Sequence, residues 1–117
     1  MIFFIKDQNN KLYAKCKYDK ESKSLFLQKS SFIKKTFDCA GCDAVNRLRN
    51  ELLDQGKLES HNDKVYLLKD TIEFKDINSA VCLVLGGKLQ NAEELIQNEF
   101  GESIKEFYTE VFEWLFY

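Results

Sequence analysis

Short apolar segments alternate with polar ones along the first 30 residues of the chain. The apolar segments are "IFFI", "KLYAKCKY" and "KSLFLQK", and the polar segments between them are "KDQNN" and "DKES". Runs of aromatic and aliphatic residues bounded by turn-forming residues are typical of β-strands. The pattern therefore predicts a three-stranded antiparallel meander.

A helical period follows the meander, because apolar residues then recur every three or four positions. Asp38 is a candidate N-cap, and Gly56 suits a C-terminal cap. This interpretation puts Cys39 in the first turn of the helix. The apolar stripe consists of Ala44, Val45, Leu48 and Leu52.

Two further strands and a second helix are predicted in the following part of the chain. "KVYLLK" and "TIEF" have the apolar character of strands. Asp76 can cap the short helix "INSAVCLVLGG", which ends at the pair Gly86 and Gly87. Since this helix is apolar on all sides, we expect it to be buried.

The tail from Glu102 onward predicts an amphipathic C-terminal helix docked on the sheet. Its apolar stripe consists of Ile104, Phe107, Tyr108, Val111, Phe112 and Leu115, and its acidic side of Glu102, Glu106, Glu110 and Glu113. The chain as a whole predicts an α+β domain spanning residues 1–117. In it, an N-terminal antiparallel sheet packs with about three helices.

Length and composition favour one ordinary cytoplasmic domain. With 117 residues and 44% hydrophobic content, the chain can bury a core without disulfides or metal. Its first apolar run has four residues, which is too short for a signal peptide or a membrane span. We expect no membrane partner and no cofactor.

Charge is distributed unevenly along the chain. Residues 1–58 carry 12 Lys and Arg against 7 Asp and Glu, a net +5, whereas residues 59–117 carry 5 against 12, a net −7. A basic segment interleaved with aromatic residues is a candidate for phosphate contact. A solvated, lysine-rich sheet face is the alternative interpretation.

The spacing C-x-x-C of Cys39 and Cys42 could indicate a metal clip, a redox pair, or two small residues at the start of a helix. A zinc site needs a second pair of ligands, which is missing as a motif. The strand–helix–strand order of a thioredoxin-like unit is also missing. We therefore favour two small residues with reduced thiols and expect no bound metal.

No motif in the sequence predicts catalysis. His61 lies in the polar stretch "ESHND" without a nucleophile motif, and we interpret it as a surface turn residue. Neither a P-loop nor a G-x-G-x-x-G motif is present. We therefore expect the protein not to be an enzyme.

Four short motifs carry a resemblance to a known family. The matching positions are Phe26, Leu27, Gln28, Lys29, Ser30 and Ser31; Arg49, Leu52, Leu53, Gly56 and Leu58; Phe74, Asp76, Asn78, Ala80, Val84, Leu85 and Gly86; and Asn91. In this order they resemble a domain of unknown function found at the C-terminal end of GIY-YIG nucleases and in restriction–modification and other defence proteins. They are more distantly similar to the restriction-system adenine-methylase-associated (RAMA) domain.

The resemblance extends from about residue 12 to residue 107, with four departures from the family pattern. Ser30 and Ala92 stand where the family has glycine, Ile77 replaces a proline, and Ile96 replaces a tryptophan. The resemblance implies a setting in restriction or anti-phage defence. It does not by itself imply an activity, because one fold can carry many functions.

Two functions from different classes follow as hypotheses. The first is a non-catalytic module that contacts nucleic acid, or a protein that handles nucleic acid, through lysines and arginines on backbone phosphates. The residues predicted for this contact are Lys29, Ser30, Lys34, Lys35, Arg47 and Arg49.

The alternative is a stand-alone phage or mobile-element inhibitor of the anti-CRISPR or anti-restriction type. Its acidic half would oppose the basic channel of a nuclease or nucleoprotein complex. The terminal "FEWLFY" contains more aromatic residues than one helix face can bury, so it predicts an interface, for which a homodimer is one candidate. The predicted interface residues are Glu102, Glu106, Glu110, Trp114 and Phe116.

Overall fold

The structure is a computed structural model that describes residues 2–37, 42–87 and 92–104. Within these ranges it has an α+β fold with two antiparallel sheets and two α-helices. The strands are β1 (Ile2–Lys6), β2 (Leu12–Asp19), β3 (Ser24–Leu27), β4 (Phe32–Lys34), β5 (Leu58–Ser60), β6 (Val65–Leu68), β7 (Ile72–Phe74) and β8 (Ile96–Gln97). The helices are α1 (Asp43–Asp54) and α2 (Ile77–Leu85), and a 3-10 turn covers Ala92–Leu95.

The predicted N-terminal meander is confirmed and forms the centre of the larger sheet. Its five strands have the order β7-β3-β2-β1-β8, and β1 to β3 pair antiparallel with their sequence neighbours. Side chains alternate along β2, where Cys16 and Tyr18 are buried and Lys15 and Lys17 are exposed. One face of the sheet therefore contributes to the core, as the alternation of a strand requires.

The smaller sheet has three strands in the order β4-β6-β5. The turn between β3 and β4 joins it to the larger sheet through Ser31, whose buried Oγ accepts a hydrogen bond of 3.1 Å from Lys15 N. The carbonyl oxygen of Ser31 accepts a 2.8 Å hydrogen bond from Leu68 N. Ser31 thereby fixes β4 relative to β2.

The core is centred on α2, which the sequence correctly predicts as a buried helix. Residues 80–85 are all buried, and α2 contacts strands of both sheets as well as α1. The predicted caps are also confirmed. Asp76 accepts a 3.1 Å hydrogen bond from Asn78 N, while Gly86 ends α2 at φ 78° and Gly56 follows α1 at φ 72°.

Several predicted details need correction. Helix α1 begins at Asp43 with Cys42 at the N-cap, which contributes no side-chain cap hydrogen bond, so the predicted start near Asp38 is wrong. Asp38 and Cys39 lie outside the described residues. The short strands β4, β5 and β8 were not predicted, because two or three residues do not establish a period.

The third predicted helix, from Glu102 onward, falls mostly on residues 105–117, which lie outside the described residues. Among the residues described, the structure has two α-helices rather than about three. Neither of them is long and apolar enough to cross a membrane.

Candidate functional site

A cleft of about 740 Å³ opens where the start of β2 meets β4 and the turn between β5 and β6. This volume lies within the range of sites that hold small molecules. Three lysines and one aspartate provide its formal charges. Its described lining consists of Lys11, Leu12, Tyr13, Phe32, Lys34, Thr36, His61, Asn62, Asp63, Lys64, Val65, Leu85 and Gly86.

Two of the lysines converge on one aromatic ring. The Nζ atoms of Lys11 and Lys34 lie 5.5 and 5.2 Å from the ring centroid of Tyr13. An ammonium group within about 6 Å of an aromatic ring is attracted by the ring quadrupole. Tyr13 therefore holds together two positive charges, one preceding β2 and one at the end of β4, that would otherwise repel.

Tyr13 itself remains neutral in this arrangement. Burial raises the pKa of its phenol, and the negative charge of Asp7 raises it further. Both effects disfavour the phenolate form of Tyr13. The side chain therefore contacts the two lysines as a neutral ring and not as the negative partner of an ion pair. The charge on this side of the cleft is therefore positive at neutral pH.

Aromatic residues form another part of the cleft wall. The rings of Phe32 and His61 pack with centroids 4.9 Å apart and an interplanar angle of 49°. The turn that carries His61 is ordered by Asn62, whose Oδ1 accepts hydrogen bonds of 2.8 and 2.9 Å from the backbone of Lys64 and Val65. The same turn thus places an aromatic ring and the third lysine, Lys64, at the cleft.

Glycine is required where α2 ends at the cleft. Gly86 has φ 78°, and a Cβ atom built on it would overlap the carbonyl oxygen of Thr36. The end of α2 and the chain following β4 consequently meet backbone to backbone. This close contact fixes how the lysine-bearing strand β4 sits against the helical core.

The structure brings three of the six predicted nucleic-acid residues together, namely Lys34, Lys35 and Arg49. Of these, only Lys34 lines the cleft. A terminal nitrogen of Arg49 donates to the carbonyl oxygens of Lys34 and Lys35. The Arg49 guanidinium also lies 5.3 Å from the Phe37 ring centroid. It therefore positions the end of β4.

Lys35, which directly follows β4, is also engaged. Its Nζ donates to Ser60 Oγ and lies 5.2 Å from the ring centroid of Tyr66. The other three predicted residues are exposed and absent from the cleft lining, Lys29 and Ser30 in the turn before β4 and Arg47 on α1. Ser30 has φ 73°, a left-handed conformation that favours the glycine of the family motif.

Sequence reasoning did not single out several residues that form the cleft, including Lys11, Tyr13 and Lys64. Lys11 belongs to the basic N-terminal segment, but no local pattern distinguished it from the other lysines there. His61 is an exposed turn residue, as predicted, and also borders the cleft. Its contact with Phe32 spans 29 positions in the chain and leaves no local signal.

The predicted protein interface is described only at Glu102, because Glu106, Glu110, Trp114 and Phe116 lie outside the described residues. Glu102 closes a turn in which Asn98 Oδ1 accepts hydrogen bonds of 2.9 and 3.0 Å from Phe100 N and Glu102 N. The turn presents Phe100 with 78% of its surface exposed. Glu99 is also exposed there.

The cysteines differ from the expectation of reduced thiols at one position. Cys42 is in a disulfide, whereas Cys16 and Cys82 carry thiols. Among the described residues, no group of three or more His, Cys, Asp and Glu side chains could hold a metal ion. Cys39 lies outside the description, so the metal prediction for the C-x-x-C pair stays a prediction.

No family model, curated protein sequence or solved structure matches this chain. The resemblance to the nuclease-associated domain rests on the motif positions given above and stays a prediction.

Proposed function

We propose that this protein is a small non-catalytic module that contacts nucleic acid through the cleft. The observation that carries the proposal is the convergence of Lys11 and Lys34 on the Tyr13 ring, in a cleft that also contains Lys64. Closely spaced lysines create a local positive potential that attracts polyanions. Asp63 is the only acidic residue in the described lining and offsets only part of this charge.

The chemistry of the cleft favours contact with the phosphate backbone. Lysine ammonium groups bind phosphates as point charges and do not distinguish base sequence. The pair Phe32 and His61 adds ring surface against which an unpaired base can stack. Arg49, whose planar guanidinium suits bidentate contact with guanine, already donates to backbone carbonyls. We therefore expect affinity without strong sequence preference.

A charge-reversal experiment tests the proposal. The cleft variant, Lys11→Glu/Lys34→Glu/Lys64→Glu, reverses the three lysines that line the cleft. The control variant, Lys17→Glu/Lys20→Glu/Lys23→Glu, makes the same change of charge in β2 and the turn that follows it, at residues absent from the cleft lining. Fluorescence anisotropy would measure binding to labelled single- and double-stranded DNA and RNA of unrelated sequences between about 50 and 200 mM salt. Circular dichroism would confirm that both variants fold.

We expect the cleft variant to lose at least tenfold in affinity for all sequences alike, and the control to lose much less. Each lost phosphate contact should also reduce the slope of log affinity against log salt by about 0.7 to 0.9. Equal losses in both variants would contradict a site at the cleft. Absence of binding by the unaltered protein at low salt would reject nucleic-acid contact altogether.

The three remaining exposed residues of the predicted set test how far the interface extends. Lys29→Glu and Arg47→Glu should each weaken binding if the nucleic acid continues from the cleft over the turn before β4 or over α1. Ser30→Ala removes a hydroxyl hydrogen-bonding group without changing charge. If all three leave affinity unchanged, the interface is confined to the cleft.

A second candidate is the protein–protein inhibitor, and the exposure of Phe100 beside Glu99 and Glu102 favours it. A large apolar side chain among carboxylates at a turn is suited to a basic partner surface with an apolar pocket. In this candidate the C-terminal segment forms the amphipathic helix that the sequence predicts, and its Glu106, Glu110, Trp114 and Phe116 extend the interface.

Nuclease inhibition assays distinguish this candidate from the first. Purified restriction and RNA-guided nucleases would be tested for inhibition by the unaltered protein, by Phe100→Ala and by Glu102→Lys/Glu106→Lys/Glu110→Lys. Inhibition that both variants lose, but that the cleft variant retains, would support the second candidate. The defence setting of either candidate is implied by the resemblance and is tested by the genes encoded beside this one.

A further inference from the structure

Strand β4 carries an aromatic ring and a lysine on the same side. Phe32 and Lys34 both line the cleft, whereas Ile33 between them is fully buried in the core. Side chains two positions apart on a strand share one face, and their Cα atoms lie about 6 to 7 Å apart. One short strand therefore supplies the cleft with both a ring and an ammonium group at a fixed spacing.

The ring of His61 extends the aromatic part of the cleft. Phe32 is half-buried and packs against the core, whereas His61 is exposed. The two ring centroids lie 4.9 Å apart. The backbone of His61 is also held in place, because its N–H donates a 3.1 Å hydrogen bond to the carbonyl oxygen of Val65. Phe32 thus supports, on one side, an exposed ring whose backbone is tied to β6.

We propose that the cleft takes single-stranded nucleic acid in preference to a duplex, with one unpaired base stacked on His61. Phe32 supports the stacked ring from the core side. The neighbouring phosphates contact Lys34 and Lys11, which the Tyr13 ring holds together. This inference rests on the nucleic-acid contact proposed above and names the form of nucleic acid that the cleft takes.

The preference arises from the rings and not from the lysines. Single strands and duplexes both carry backbone phosphates, so lysine contacts alone attract either form. In a duplex each base is paired and stacked between its neighbours, and its face meets a protein ring only after the base is turned out of the helix. An unpaired base has its face available and stacks on an aromatic side chain whatever its sequence.

His61 is the residue that separates a stacking role from a packing role. Phe32 packs against the core, so its ring contributes to stability whether or not a base binds. The exposed ring of His61 is not part of the buried core. Its replacement therefore removes the surface on which a base stacks while the core packing is kept.

Three labelled forms of one oligonucleotide provide the probes. They are the single strand, its blunt duplex, and a strand of the same length whose nucleotides all lack their bases. The last form keeps the sugars and phosphates and offers nothing to stack. Fluorescence anisotropy at a fixed low salt concentration would measure each affinity. We expect the unaltered protein to bind the single strand at least about fivefold more tightly than the baseless strand, and more tightly than the duplex.

Variants of the ring pair locate the stacking contact. His61→Ala should weaken binding of the single strand by about fivefold or more. It should leave the affinity for the baseless strand and the slope of log affinity against log salt unchanged, because no phosphate contact is lost. His61→Phe keeps a ring without the imidazole nitrogens and should bind like the unaltered protein. Phe32→Leu keeps apolar bulk in the core and should act in the same direction as His61→Ala.

The outcomes separate this inference from the proposed function. Equal affinities of the unaltered protein for all three forms would overturn the stacking contact and leave the phosphate contact standing. Binding by His61→Phe as weak as that by His61→Ala would also overturn it, because the imidazole nitrogens rather than the ring would then be responsible. Absence of binding to every form would reject nucleic-acid contact and this inference with it. Circular dichroism would verify that each variant is folded.

Discussion

Gly86 packs directly against the backbone of Thr36, so that a Cβ atom at Gly86 would overlap the Thr36 carbonyl oxygen. The contact joins the end of α2 to the chain that follows β4. Gly86 has a positive φ, a backbone conformation that is strained for any residue with a Cβ atom. Gly56 shares the positive φ but has nothing within 4 Å of the corresponding position.

Replacing these two glycines by alanine should separate conformational strain from steric overlap. Gly56→Ala should lower the free energy of unfolding by about 1 to 2 kcal/mol, the cost of the left-handed conformation. Gly86→Ala should cost about 1 to 3 kcal/mol more, because the backbone of Thr36 must also move. Urea denaturation measures both values. Equal losses in the two variants would contradict the close contact.

Ser30→Gly should stabilise the protein. Ser30 adopts φ 73°, and glycine tolerates this region without the clash of a Cβ atom. We expect the free energy of unfolding to rise by about 1 kcal/mol. Asn10→Gly, at φ 65°, is the control and should gain less because asparagine visits this region more readily. If Ser30→Gly left the melting temperature unchanged or lowered it, the left-handed conformation of Ser30 would be contradicted.

The stability of the protein should fall in acid partly through Glu73. The hydrogen bond from Lys75 Nζ, of 2.9 Å, lowers the pKa of Glu73, and the hydrogen bond from Ser24 Oγ lowers it further. A carboxyl whose folded pKa is lowered contributes stability above its unfolded pKa, about 4.3 for glutamate. That contribution is lost as the pH falls through the folded pKa.

Urea unfolding at pH 7 and pH 3 would test the role of Glu73. Glu73→Gln should reduce the difference in unfolding free energy between the two pH values, and Lys75→Met should do the same by removing the main cause. Part of the acid sensitivity should remain, because hydrogen bonds from Ser22 and Glu21 also lower the pKa of Asp19. If Glu73→Gln left the pH dependence unchanged, the hydrogen bonds to Glu73 would not stabilise its charged form.

Cys16 should be unreactive until the protein unfolds. Its side chain is fully buried, and burial raises the pKa of the thiol to about 12. Iodoacetamide at pH 8 should therefore alkylate Cys16 slowly in the native protein and rapidly in urea. The reaction is followed by mass spectrometry of the tryptic peptide 16–17, which contains Cys16. Rapid alkylation without denaturant would show that β2 is more accessible than its burial indicates.

The local sequence determined the elements whose signals are contained within one segment. Alternation and turn residues predicted the meander of β1 to β3, and continuous apolar character predicted the burial of α2. Caps at Asp76, Gly56 and Gly86 were also found, because capping depends on the conformation and hydrogen bonds of a few adjacent residues. These interactions are local, so a single sequence contains the information for them.

Tertiary structure alone decided which residues form the cleft and that Cys42 and Cys82 lie in contact. Lys11, Lys34 and Lys64 are far apart in the chain and meet only because the start of β2, β4 and the turn after β5 are brought together. The three-residue strands β4 and β5 owe their existence to pairing with β6 rather than to their own periodicity. Cys42 and Cys82 likewise meet through the packing of α2 beside the start of α1. Such contacts depend on how apolar surfaces pack across the whole chain, and a local pattern does not encode that packing.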